Sequence, residues 1–179
     1  MELSYNIDNI DDLKKTEQIL QEQNKPQDLF SVNNKNIILT GASGLLGSYF
    51  ARILLERGAN MALVDHSPSV SESLKNEFSY TGQNIHVYKC DLSKPKEIIS
   101  TFKKIKNDFH SLDVLINNAA FVSAKSFGVK DFKNFETHPF DLWKKSFEVN
   151  IDAPFLLCQN VLGIMKKQQS GNIINISSN

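Results

Sequence analysis

From Lys35 onward, short apolar runs alternate with amphipathic stretches; before Lys35 they do not. Ile37-Ile38-Leu39, Met61-Ala62-Leu63-Val64, Ile85 to Lys89, Val114-Leu115-Ile116 and Ile173 to Ile176 have strand length. Between the first two, Leu45 to Arg57 carries Leu46, Phe50, Ile53 and Leu54 at helical spacing, with Gly58 as a stop signal. Further helices are predicted near Val70 to Ser79, over Lys94 to Asn107, and from Phe140 to about Lys167, where Pro154 predicts a kink. Strands of four to six residues alternating with longer helices predict βαβ units and a parallel sheet. Helices on both faces of such a sheet explain why the strands are apolar throughout. The fold expected is therefore α/β, a Rossmann-type doubly wound parallel sheet ending after its fifth strand.

Two regions stand outside this rhythm. Residues 1–34 read as a polar helical extension, with Ile10, Leu13, Ile19 and Leu20 as a partial stripe, followed by an amide-rich linker. This stretch is either a helix resting on the domain or a docking arm; residues 35–179 form the expected α/β domain. Phe121 to Pro139 is long for a βα connection and holds Phe121, Phe127, Phe132 and Phe135. A loop over the carboxyl ends of parallel strands is placed for substrate, though an insertion with its own small contacts fits as well.

Composition narrows the function classes. Lys+Arg and Asp+Glu balance at 20 each, without a basic block, so the phosphate-driven attraction of nucleic-acid binding has no source. Hydrophobic residues make up 41%, but no apolar run nears the ~20 residues of a membrane helix. The N-terminus has neither the basic nor the apolar region of a secretory signal. Cys90 and Cys158 are isolated and match no metal spacing, so no metal site is expected and a reducing cytoplasm is the plain reading.

The chemistry lies at the ends of the strands. Thr40-Gly41-Ala42-Ser43-Gly44-Leu45-Leu46-Gly47 follows a strand and opens a helix. There Gly41 permits the tight turn, Gly44 the approach of backbone to pyrophosphate, and Gly47 close packing of helix on strand. The free N–H groups and partial positive charge of the helix start complete an anion site. Asp65, eighteen residues after Gly47, ends the second strand. A carboxylate there accepts hydrogen bonds from the adenosine ribose diol and repels a 2′-phosphate, which favours NAD over NADP. His66 beside it softens that rejection when protonated.

With Asn117-Asn118-Ala119-Ala120, Asn150 and the strand ending Ile176-Ser177-Ser178, these motifs resemble the short-chain dehydrogenase/reductase family. The glycine spacing is that of its extended and atypical members. The resemblance implies an oxidoreductase passing hydride between nicotinamide and a secondary alcohol or ketone, with a lean toward sugars or sugar nucleotides. It implies a small-molecule substrate and a homo-oligomer in the complete enzyme. It assigns cofactor contact to Thr40, Gly41, Ser43, Gly44, Leu45, Leu46, Gly47 and Asp65. It adds Asp91 and Leu92 around adenine, then Asn118, Ala119 and Ala120 beside the cofactor. Asp91 also has a plain alternative as a helix cap, in competition with Ser93. Asn117 ties the central strands, Asn150 goes with a local helix break and a proton-relay water, and Ser178 is the catalytic serine, Ser177 being one register step away.

The family's proton donor is a Tyr with a Lys four residues on, because free tyrosine ionises near ~10 and needs a cation beside it. Here Tyr5, Tyr49, Tyr80 and Tyr88 all precede the serine strand and are followed at that spacing by Asn9, Ile53, Asn84 and Leu92. The expectation is an N-terminal portion of an NAD-dependent dehydrogenase that is inactive alone. The rival is a dinucleotide-binding module that does no chemistry.

Overall fold

The computed structural model describes residues 31–122 and 135–177. Five parallel strands form one sheet: β1 (Asn36–Thr40), β2 (Asn60–Asp65), β3 (Ile85–Lys89), β4 (Val114–Asn117) and β5 (Asn172–Asn175), in the spatial order β3-β2-β1-β4-β5. The helices are α1 (Leu45–Glu56), α2 (Ser69–Glu77), α3 (Pro95–Asp108), α4 (Phe140–Phe147) and α5 (Ala153–Gln168). The chain builds outward from β1 to β3 and then returns to place β4 on the other side of β1. Sheets of this kind bind ligands at that reversal, beyond the carboxyl ends of the strands.

Alternation along each strand divides the core in two. Ile37, Leu39, Met61 and Leu63 point to the α1 and α2 side, where Ala51, Leu55, Leu74 and Phe78 meet them. Ile38, Ala62, Val64 and Leu115 point the other way, against Ile98, Phe102 and Ile105 of α3 and Leu157, Val161 and Met165 of α5. These residues of β1, β2 and β4 are buried between the two helical layers, whereas β5 at the edge of the sheet is mostly exposed. Truncating a fully buried residue such as Leu63 would cost about 2–5 kcal/mol, the transfer loss plus a cavity.

Helix ends follow local chemistry. At the end of α1, Gly58 takes φ +84, while its N–H reaches the Leu55 carbonyl and the Ala59 N–H that of Leu54. Gln168, in the last turn of α5, bonds both the N–H and the carbonyl of Leu112 at 3.0 Å, fixing that helix against the start of β4.

The long helix expected from Phe140 to Lys167 is three pieces. A π-turn, Glu148–Asp152, separates α4 from α5, and Pro154 lies in the first turn of α5 instead of kinking a continuous helix. Proline has no N–H to give the Asn150 carbonyl four residues earlier, so the wide turn falls where that bond is already lost. β5 begins and ends one residue before the expected Ile173 to Ile176, although the Ile176 N–H still bonds the Asn117 carbonyl. The N-terminal stripe, Phe127, Phe132 and Ser178 lie outside the described residues. Among the described residues no helix is long and apolar enough to cross a membrane, and no group of three His, Cys, Asp or Glu side chains could hold a metal ion.

Candidate functional site

A cleft of about 990 Å³ opens over the carboxyl ends of β1 to β4. Its floor is the glycine turn. Gly41 sits at φ +65, and a Cβ there would lie 2.8 Å from the Ala119 Cα. A Cβ on Gly47 would run into the Gly41 carbonyl group. One at Gly44 would meet only the Gly41 oxygen, at 3.2 Å. Two of the three glycines are therefore demanded by packing, and Gly44 keeps the surface of the turn bare. No side chain caps α1, whose N-cap is Gly44, so its opening N–H groups remain available to an anion. Leu45 and Leu46 line the cleft mouth and are exposed.

Asp65 ends β2 with its side chain almost fully buried. Its Oδ2 accepts the Ser43 N–H at 3.0 Å, and Oδ1 accepts the Ser67 N–H at 2.9 Å. The exposed His66 places Nδ1 3.2 Å from Oδ1. The Ser43 hydroxyl pairs with that of buried Ser71 at 2.8 Å, tying the glycine turn to α2. Ser43 lines the cleft with both its N–H and its hydroxyl already engaged.

Thr40 does not line the cleft; it is a buried hub. Its hydroxyl accepts the N–H groups of Asn118 at 3.0 Å and Ala119 at 3.1 Å, and donates toward the Ile116 carbonyl at 3.4 Å. The Asn118 side-chain amide donates to the carbonyls of Thr40 and Gly41 at 3.0 and 3.3 Å. Asn118 therefore holds the glycine turn against the end of β4 while it lines the cleft beside Ala119 and Ala120. Asn117 donates to the Asn175 side chain at 2.8 Å, joining β4 to β5 as the sequence suggests. Its own Oδ1 is buried and has no partner among the described residues, a demand that a bound water would meet.

On the far side, Asp91 and Leu92 line the cleft after β3. The Asp91 carboxylate accepts both the N–H and the hydroxyl of Ser93, at 3.0 and 2.7 Å, forming a turn before α3. The N-cap of α3 is Lys94, without a side-chain cap bond, so neither Asp91 nor Ser93 caps that helix. Burial pushes the Asp91 carboxyl upward, but the Ser93 bonds and the charges of Lys145 and Lys94 overcome it, leaving the group below its usual range. Burial raises the neighbouring Cys90 thiol, which therefore stays protonated.

Asn150 lies in the π-turn outside the cleft. Its Oδ1 accepts the Phe121 N–H at 2.7 Å and its Nδ2 donates to the Phe121 carbonyl at 3.1 Å. The residue that goes with the helix break thus also holds the backbone leaving β4. None of Tyr49, Tyr80 or Tyr88 lines the cleft, and the Tyr88 hydroxyl is committed to Asp108 at 2.6 Å. Sequence reasoning missed two residues that line the cleft, Glu97, which bonds the Asp91 N–H six residues before it, and Lys145, which meets Ser93 from a distant segment.

A turn that rejects side chains, an uncapped helix start and a buried carboxylate at the next strand end fit the pyrophosphate and ribose of a dinucleotide. Residues 35–179 match the short chain dehydrogenase family. The chain belongs to this family. It is 31% identical over 150 residues to the 2-dehydro-3-deoxy-D-gluconate 5-dehydrogenase of Pseudoalteromonas atlantica, covering 83% of this chain and 56% of that one. A solved metagenomic short-chain oxidoreductase in complex with NADP superposes with a TM-score of 0.74 at 28% identity, over 83% of this chain and 64% of that one. NAD+-bound xylitol dehydrogenase superposes with a TM-score of 0.72 at 27% identity, over 82% and 54%. The chain spans about half the length of the curated relatives it matches, 51% to 56%.

Proposed function

We propose that this polypeptide is the cofactor-binding portion of an NAD-dependent oxidoreductase acting on a secondary alcohol or ketone. The observation that carries the reading is the cleft itself, in which the glycine turn, the start of α1 and Asp65 converge. When bound, the nicotinamide cofactor gives or takes the hydride. The chain's own residues bind and orient it. The N–H groups at the start of α1 face the pyrophosphate, and Asp65 receives the ribose hydroxyls. Leu92 and Asp91 border the adenine, while Ala119 and Ala120 leave room along β4. NAD is favoured because a second negative charge, on a 2′-phosphate, would meet the nearly buried Asp65 carboxylate.

In this reading Ser178 hydrogen-bonds the reacting oxygen, and Asn150 holds the cleft wall through Phe121. A sugar or sugar nucleotide is the substrate class we favour, since two of the similar proteins are named for a sugar acid and a sugar alcohol. Residues 1–179 contain no Tyr-x-x-x-Lys pair, so this polypeptide alone is assigned binding without turnover. General acid–base catalysis contributes roughly 10²–10⁴-fold, enough to silence it.

Calorimetric titration with NAD and NADP tests the proposal. Tighter binding of NAD is expected. Preference for NADP would overturn the cofactor assignment, and binding of neither would overturn the site. Saturable NADH formation from secondary alcohols by residues 1–179 would refute the assignment of binding alone.

A further inference from the structure

We propose that Lys145 is a positioning residue for the adenine half of the cofactor, holding the loop after β3 in its binding shape from a separate helix. This rests on the reading of the cleft as a dinucleotide site. Lys145 lies on α4 and lines the cleft opposite the glycine turn. Its Nζ donates to the Ser93 Oγ at 2.9 Å and stands 4.0 Å from the Asp91 Oδ1.

The direction of the hydrogen bonds is forced. An ammonium only donates and an ionised carboxylate only accepts. The hydroxyl between them must therefore accept from Lys145 and give its proton to Asp91. The Ser93 N–H adds a second donor to the same carboxylate oxygen. The other oxygen takes Lys94 at 3.3 Å. Lys94 in turn meets Glu97 at 3.0 Å, and the second Glu97 oxygen accepts the Asp91 N–H at 2.9 Å. These bonds close a ring in which every partner but one belongs to residues 91–97. Lys145 is the exception, reaching in across 52 residues of sequence.

An exposed ion pair contributes little to folding. Here the consequence lies elsewhere, because Asp91 and Leu92 form the border on which adenine would rest. A loop already held in its bound shape loses less freedom when ligand arrives, and affinity gains by that amount. Glu97 and Lys94 can hold the loop to α3, but only Lys145 in this ring ties it to α4, whose π-turn continuation holds Phe121 through Asn150.

The test uses the full-length protein and the variants Lys145→Met, Lys145→Arg and Ser93→Ala. Dissociation constants are measured for NAD, AMP and nicotinamide mononucleotide, with the ligand-free melting temperature as control. Lys145→Met is expected to weaken NAD and AMP by about tenfold, the order of a charge-assisted hydrogen bond. Nicotinamide mononucleotide affinity and the melting temperature should hold, and Lys145→Arg should recover most of the loss. Ser93→Ala should match Lys145→Met, with the double variant no weaker than either, because one relay is broken in each. Unchanged AMP binding in Lys145→Met, or equal weakening of AMP and nicotinamide mononucleotide, would overturn the role. A wild-type protein binding neither NAD nor AMP would instead refute the site, and with it the role.

Discussion

The Asp65 carboxylate and the Ser43 N–H lie 3.0 Å apart, so the side chain that we propose receives the ribose also braces the glycine turn. Asp65→Ala therefore removes two things together. It should weaken NAD at least tenfold and also lower the melting temperature, because leaving a part-buried N–H without a partner costs about 1–3 kcal/mol. Asp65→Asn keeps an acceptor for one of the two amides while removing the charge. It should narrow the gap between NAD and NADP with the smaller loss of stability. Titrating both cofactors against wild type and both variants, with melting curves, separates the two roles. An alanine variant as stable as wild type would show that the Ser43 contact carries no weight.

The glycines should respond unequally. In Gly47→Ala the new methyl collides with the Gly41 carbonyl group inside a packed junction, which should cost about 1–3 kcal/mol or more by overpacking. Gly44→Ala meets only the Gly41 oxygen, at 3.2 Å, and should melt within a few degrees of wild type. Its defect should appear in cofactor affinity, because the methyl sits on the surface that the pyrophosphate approaches. Equal melting losses for the two would contradict this division.

Tyr88 makes stability depend on high pH. Burial first, then the hydrogen bond to Asp108 and its negative charge, hold the phenol far above its ordinary range. In the unfolded chain it ionises near ~10. Its contribution is fully present below about pH 10 and is lost as pH rises beyond, since only the unfolded state then releases the proton. Tyr88→Phe should flatten the loss of stability above that pH, at the expense of about 1 kcal/mol at neutrality for the missing bond. Melting temperatures of both proteins from pH 7 to 11 provide the check, and parallel curves would count against it.

Asn150 should matter to the cleft wall without touching ligand. Asn150→Ala removes two hydrogen bonds to the Phe121 backbone and should lower stability by about 1–2 kcal/mol, the worth of two ordinary hydrogen bonds. Asn150→Asp keeps the acceptor for the Phe121 N–H and sets a carboxylate oxygen against its carbonyl, so it should recover only part. Amide exchange at Phe121 reads the effect directly. Protection unchanged in the alanine variant would show that the contact does not order this backbone.

The inner strands and the first three helices were legible because strands covered on both faces write themselves as apolar runs, and helices write themselves as stripes. The glycine turn was legible for the same local reason, since a strand, three glycines and a helix are consecutive. Side-chain partnerships were not. That the Ser43 hydroxyl turns to Ser71, or that the Asn118 amide is engaged by Thr40 and Gly41, depends on segments that meet only after folding. Lys145 looked like one lysine among many on a polar stretch, and its partner Ser93 lies on a loop far upstream. The π-turn was hidden because Pro154 signals an irregularity but not its form, and the extra residue falls before the proline.

The return of the chain from β3 to β4 has a consequence for the order of events during synthesis. β1, β2 and β3 emerge in sequence and can pair as they appear, but Ile37 must wait for Val114 before its other edge is closed. Until then the strand destined for the middle of the sheet is an open border on the nascent chain. The Asn118 clamp on the glycine turn arrives with that same closure, and the Lys145 tie only after α4 has left the ribosome. Binding competence is thus acquired late, and the half-made protein presents a glycine turn braced by Asp65 and Ser71 but not yet clamped by Asn118.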